Sequence, residues 1–100
     1  MKNVVLVVKA KVKEEFSEEV YTFMKALHKL THEFDRGCLQ YDLHKVKDEE
    51  NTFCFIETWE DEACLIEHSQ KEHFKNFMSY VDGKIESMEK IFLDKYVEEV

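Results

Sequence analysis

Between residues 16 and 34 the apolar side chains Phe16, Val20, Phe23, Leu27, Leu30 and Phe34 recur at intervals of 4, 3, 4, 3 and 4. Only a helix gathers such residues onto one face, because a turn takes 3.6 residues. On both sides of this segment the period is two. Upstream, over residues 3–12, Val4, Leu6, Val8, Ala10 and Val12 alternate with Asn3, Val5, Val7, Lys9 and Lys11, the pattern of a strand. Downstream, Leu39, Tyr41 and Leu43 alternate with Gln40, Asp42 and His44. Phe53, Phe55, Glu57 and Trp59 then alternate with Cys54, Ile56 and Thr58. The polar run Lys47-Asp48-Glu49-Glu50-Asn51 between them makes the pair a hairpin. A chain that changes period in this way folds as layers, helix on sheet.

Proline is absent and glycine occurs only at Gly37 and Gly83, so the two glycines punctuate the chain. The first helix is expected over 14–34, with Glu14, Glu15, Glu18 and Glu19 early and Lys25, Lys29, His28 and His32 late, the order that suits the helix dipole. Asp35-Arg36-Gly37 stops it, Gly37 taking positive φ. Asp61 caps a short helix reaching His68. Ser69-Gln70-Lys71-Glu72 reads as a capping box for a further helix that carries Phe74, Phe77, Met78 and Val81 and ends at Gly83. A last strand is expected over 90–97, with Ile91, Leu93 and Val97 on one face and Phe92 and Tyr96 on the other. Residues 84–89 match neither period.

The order β-α-β-β-α-β is the ferredoxin-like α+β arrangement, an antiparallel sheet with helices on one face. Residues 1–100 make one domain. Aromatic and branched residues occupy both faces of several strands, so the bare face calls for a second sheet, supplied by a homodimer.

Charge narrows the function. Fourteen Lys and Arg against 22 Asp and Glu give a net charge of −8, which disfavours nucleic acid and anionic membranes as partners. No apolar run approaches the ~20 residues that span a bilayer. Met1-Lys2-Asn3 runs directly into Val4–Val8, too short for a leader and without a small-residue cleavage site; the expected compartment is the cytoplasm. Cys38, Cys54 and Cys64 form an odd set with no CxxC, expected as free, small apolar residues. With two glycines there is no phosphate-cradling loop, and no GxSxG or HExxH motif occurs. His32, His44, His68, His73 and the cysteines have no zinc-finger spacing. No metal and no tightly bound cofactor are expected.

Four features resemble the antibiotic biosynthesis monooxygenase (ABM) family. Glu33-Phe34-Asp35-Arg36-Gly37-Cys38-Leu39-Gln40-Tyr41 is similar to its E-x-G-C-x-x-Y junction, with a longer stretch between Glu33 and Gly37 than the motif has. Phe55-Ile56-Glu57-Thr58-Trp59-Glu60-Asp61 is similar to its E-x-W-x-(S/D) strand end. His68-Ser69-Gln70-Lys71-Glu72-His73-Phe74 is similar to its H-x-x-(S/T)-x-H-(F/M/Y) segment. The spacing fits too, nine residues from Trp59 to His68 and five more to His73. The resemblance implies a dimeric α/β barrel with one pocket per subunit between sheet and helices. It implies one of several activities: cofactor-independent oxidation of a small quinol or phenol by dioxygen, isomerisation of a small phosphorylated hydroxy-ketone, haem degradation, or ligand binding without catalysis.

Within that frame His68 and His73 are the candidate bases, since imidazole exchanges a proton near neutral pH. His73 falls in the first turn of a helix, where the dipole favours the neutral ring. Trp59 is expected to wall the pocket and offer its indole N–H to an oxygen, Tyr41 to reach the rim with its hydroxyl, and Asn3, by family resemblance, to orient an oxygen. Each has a structural alternative: histidines hydrogen-bonded within the fold, Trp59 and Tyr41 in the core, Asn3 solvated at the terminus. Glu57 shares a face with Phe53, Phe55 and Trp59, where a carboxylate needs a partner or takes a raised pKa. For a phosphorylated substrate the nearby cations are Lys9, Lys11 or Lys45.

Overall fold

The structure is a computed structural model, and it describes residues 2–95. Strand β1 (Val4–Val12) is followed by a single 3₁₀ turn (Glu14–Phe16) and helix α1 (Ser17–Phe34). Strands β2 (Cys38–Lys45) and β3 (Thr52–Trp59) form the hairpin. Helices α2 (Glu62–Gln70) and α3 (Glu72–Val81) precede strand β4 (Ile85–Leu93). The strands make one antiparallel sheet in the order β2-β3-β1-β4, so the ferredoxin-like α+β reading holds, its second helix broken in two.

The alternation read in β1 and β3 sets which face is covered. Leu6, Ala10 and Val12 of β1 and Phe53, Phe55, Glu57 and Trp59 of β3 are buried beneath the helices. Val5, Val7 and Ile56, pointing the other way, are only half-buried. The hairpin turn places Asp48 and Asn51 in the left-handed region, with φ of 65° and 57°, which these short polar side chains tolerate.

Four details depart from the sequence reading. The buried line of α1 is Val20, Met24, Leu27 and Thr31. Phe23 instead stacks on Tyr80 of α3, centroids 3.8 Å apart, and Phe34 is exposed. Helix α1 packs on both the sheet and α3, so its apolar stripe serves two neighbours. Leu39 is exposed because the β2–β3 register shifts between Cys38 and Gln40; the bulge turns Leu39 out of the face that Tyr41 keeps. Ser69 is no cap: it lies in the last turn of α2, where its hydroxyl donates to the Ile66 carbonyl at 2.6 Å, and the boundary falls at the extended Lys71. Finally, β4 begins at Ile85 rather than 90, because its residues 85–88 pair with Val12 to Ala10. The expected strand positions Tyr96 and Val97 lie outside the described residues.

As the sheet's edge, β4 is poorly covered. Met88, Ile91, Phe92 and Leu93 are all exposed. No helix among the described residues is long and apolar enough to cross a membrane.

Candidate active site

The site is built around the loop that stops α1. Gly37 has φ +74°, and a Cβ there would run into the Cys64 sulphur, so the loop touches α2 where only glycine fits. Its carbonyl accepts from the Glu60 N–H at 2.8 Å, and Arg36 pairs with Glu67 of α2 at 3.1 Å. Asp61 caps α2 as expected, accepting from the Cys64 N–H at 2.9 Å. These contacts fix Asp35, whose side chain is 1% exposed, beneath the junction of α2 and α3.

Two histidines converge on that carboxylate. His68 Nδ1–H donates to Asp35 Oδ2, and His73 Nε2–H donates to Asp35 Oδ1 at 2.8 Å. Residues five apart on one continuous helix would point about 140° away from each other. The break at Lys71 lets the last turn of α2 and the first turn of α3 present both rings to one acceptor. A carboxylate only accepts, so the neutral His68 ring carries its proton on Nδ1 and keeps a lone pair on Nε2. That Nε2 is buried and has no hydrogen-bond partner among the described residues. Burial pushes the His68 pKa down, against the opposing pull of Asp35, so the ring is neutral at pH 7.

His68 lines a cavity of about 220 Å³ between sheet and helices. Most of its wall is apolar, including Leu6, Leu27, Phe55, Phe74 and Phe77; Tyr41, Glu57, Ser69 and Lys90 add polar groups. Burial drives the Tyr41 phenol well above its ordinary pKa, and nearby Glu57 adds to it. Burial also raises Glu57 to about 7, with the indole of Trp59 and the charge of Lys90 pulling back. The expected partner of Glu57 is therefore Trp59, whose Nε1–H donates to Oε1 at 2.9 Å.

Of the residues singled out in the sequence, His68, Tyr41 and Glu57 line the cavity. Trp59 does not. It is fully buried behind them, its ring 4.6 Å from that of His68, and its N–H is taken by Glu57; it packs the wall from the rear. His73 also stays outside, half-buried on Asp35. Asn3 is exposed just ahead of β1, sharing the phase of Val5 and Val7 on the open face, away from the cavity. Lys9 and Lys11 are paired with Glu49 and Glu86, at 3.1 and 3.8 Å, and neither they nor Lys45 reach the cavity; among the described residues Lys90 is its one cation.

Sequence reading missed Asp35 as the central acceptor and Lys90 as a lining residue. The spacing of Asp35 from His68 carries no local signal, since 33 residues separate them. Among the described residues two groups have metal-ligand chemistry, Asp35 with His68 and His73, and His28 with His32 and Asp42; in each the ligand atoms lie within 4.8 Å of one another. In the first, both carboxylate oxygens are already committed to imidazole N–H groups.

A four-stranded ferredoxin-like sheet with an imidazole-walled pocket under its helices defines a small α+β pocket protein. The chain belongs to the antibiotic biosynthesis monooxygenase family, whose model matches residues 3–80. It is 38% identical over 72 residues, 72% of this chain and 70% of the relative, to the Bacillus subtilis protein named "Putative monooxygenase YcnE". Among solved structures, PA3566 from Pseudomonas aeruginosa superposes with a TM-score of 0.89 at 26% identity, covering 97% of both chains. A Bacteroides thetaiotaomicron protein titled a putative antibiotic biosynthesis monooxygenase shares the fold, with a TM-score of 0.90 at 20% identity over 99% of this chain and 94% of its own.

Proposed function

We propose that this protein is a cofactor-independent monooxygenase that oxidises a small quinol or phenol with dioxygen. The observation that carries the reading is the buried, unpartnered Nε2 of His68, a residue of the apolar cavity's wall that Asp35 holds in its basic tautomer. A cavity of roughly 150 Å³ admits benzene, so about 220 Å³ suits one or two fused rings.

His68 Nε2 takes the phenolic proton. The phenolate gives one electron to dioxygen, and the apolar wall keeps the phenoxyl radical and superoxide together. They combine at a ring carbon bearing hydrogen, and the resulting hydroperoxide loses water to leave a carbonyl. One oxygen atom ends in the product and the other in water; all four electrons come from the substrate. Tyr41, neutral at this pH, donates to the substrate oxygen, and Glu57 receives or returns a proton near neutrality. His68 Nε2 then returns its proton to the peroxide anion, which forms the hydroperoxide and restores the base, while Asp35 steadies the imidazolium in between. Trp59 is a positioning residue that holds Glu57 and the His68 ring.

The isomerase alternative has less support. A phosphate brings two negative charges, and among the described residues the cavity wall offers a single lysine amid apolar side chains. The open sheet face, with Val5, Val7, Ile56, Ile91 and Leu93, is the surface on which a second copy stacks to form the homodimer. Sedimentation at micromolar concentration reads that directly: a dimer is expected, and Val7→Glu is expected to sediment as a monomer.

The activity test is oxygen uptake with a reduced naphthoquinol, using ¹⁸O₂ to follow the label. One labelled atom in the product, and a fall in rate of about 10²–10⁴ in His68→Ala, is the expected outcome. Unchanged turnover in His68→Ala removes this histidine from the mechanism.

A further inference from the structure

Outside the cavity, a second group of ligating side chains joins helix to sheet edge. His28 and His32 stand one turn apart on α1, their ring centroids 4.4 Å apart. Asp42 of β2 completes the set, with all three ligand atoms within 4.8 Å of one another. None of the three lines the cavity, and the oxidation chemistry uses none of them.

Each end of this group is held from behind. His32 Nε2–H donates to the Tyr41 carbonyl at 2.7 Å. A carbonyl only accepts, so the neutral ring keeps its lone pair on Nδ1. Gln40 donates to Asp42 Oδ2 at 3.0 Å, and Thr58 donates to Gln40 Oε1 at 2.8 Å. A backbone carbonyl behind an imidazole and an amide behind a carboxylate are the outer contacts that orient metal ligands and raise their affinity.

We propose that His28, His32 and Asp42 bind one divalent late first-row transition ion, Zn²⁺ by preference, which clamps α1 to the edge strand β2. Two imidazoles and one carboxylate suit zinc and disfavour calcium or magnesium, which take oxygen ligands. Water fills the remaining coordination position. The Asp35 group competes poorly for the ion. Its carboxylate is 1% exposed and both its oxygens are bonded to imidazoles, so binding there breaks two buried hydrogen bonds. The clamp bears on the cavity through α1, which supplies Met24 and Leu27 to its wall, and through β2, which supplies Tyr41.

The test is calorimetric titration of the metal-stripped full chain with zinc chloride alone, in a non-chelating buffer. One ion per chain is expected, with a rise in melting temperature. His28→Ala and Asp42→Asn each weaken binding by about tenfold or more, with far-UV circular dichroism unchanged. His73→Ala leaves binding intact. Should His28→Ala perturb the fold, His28→Gln keeps the bulk and gives the same loss. Absence of binding at micromolar zinc overturns the proposal. So does binding that survives both substitutions, which puts the ion on the thiols, and binding lost in His73→Ala, which puts it on Asp35.

Discussion

The inner end and the mouth of the cavity are built on opposite plans. At the inner end the polar groups are largely tied to one another: Asp35 holds two imidazoles and Trp59 holds Glu57, while among the described residues His68 Nε2 and the Thr31 hydroxyl are buried without a partner. At the mouth, β4 offers Met88, Lys90 and Phe92, with Met88 and Phe92 exposed, Phe92 to 60%. The covered end is organised by the chain itself before any ligand arrives, which is where preorganisation aids chemistry. The open end leaves apolar surface for substrate or a second chain to cover.

The substitution expected to act most strongly on the inner end, short of removing His68, is Asp35→Asn. An amide offers an N–H to His68 Nδ1 and drives the proton to Nε2, so the base is lost while the ring stays. By analogy with hydrolases in which an Asp orients a His, the rate falls by up to about 10⁴. Steady-state oxygen uptake measures the fall. A loss confined to KM breaks the claim that Asp35 acts through the His68 tautomer.

Glu57→Gln has the next largest effect, on stability. Folding raises this carboxyl from 4.5 to about 7, so the folded chain favours its neutral form. That contribution is intact below the ordinary carboxylate range. It declines as pH rises from 4.5 to about 7 and is flat beyond. The shift corresponds to about 3 kcal/mol lost by pH 8, which Gln escapes while still accepting from Trp59. Urea denaturation is expected to find Glu57→Gln more stable than the parent at pH 8 and close to it at pH 4. His68 runs the opposite way. Its lowered pKa removes stability as pH falls below 6.5, where the unfolded ring gains a proton that the folded ring refuses.

The two glycines sharpen the contrast further. Both have positive φ, but a Cβ on Gly37 meets Cys64, whereas one on Gly83 meets nothing within 4 Å. Gly83→Ala is expected to destabilise by about 1 kcal/mol, from backbone strain alone. Gly37→Ala adds overpacking of about 1–3 kcal/mol and loosens Asp35, so it lowers activity as well. The smallest effect belongs to the mouth. Lys90→Gln is expected to raise KM by less than about tenfold with kcat nearly constant, since a solvent-facing charge contributes ~1 kcal/mol or less.

What the sequence revealed follows from how local each signal is. Alternation in β1 and β3, the stop at Gly37 and the cap at Asp61 depend on neighbours a few residues apart, and all are present in the fold. The buried face of α1 was offset because Phe23 serves α3 rather than the sheet. Ser69 mimicked a cap because its hydroxyl is satisfied equally well by a carbonyl one turn back. Trp59 and Glu57 share a strand face, yet only Glu57 reaches the cavity. Periodicity gives a residue's side of the sheet, not its depth. Asp35 read as punctuation, because its role exists only once the helix break brings two distant histidines over it.

The chemistry turns on one nitrogen, Nε2 of His68. Long-range ¹H–¹⁵N NMR of the histidine rings at pH 7 reads each tautomer and protonation state. His68 is expected to be neutral with its proton on Nδ1, and a bound phenol to shift Nε2 toward the protonated range. A His68 ring protonated on Nε2 in the free protein, or charged at pH 7, contradicts this.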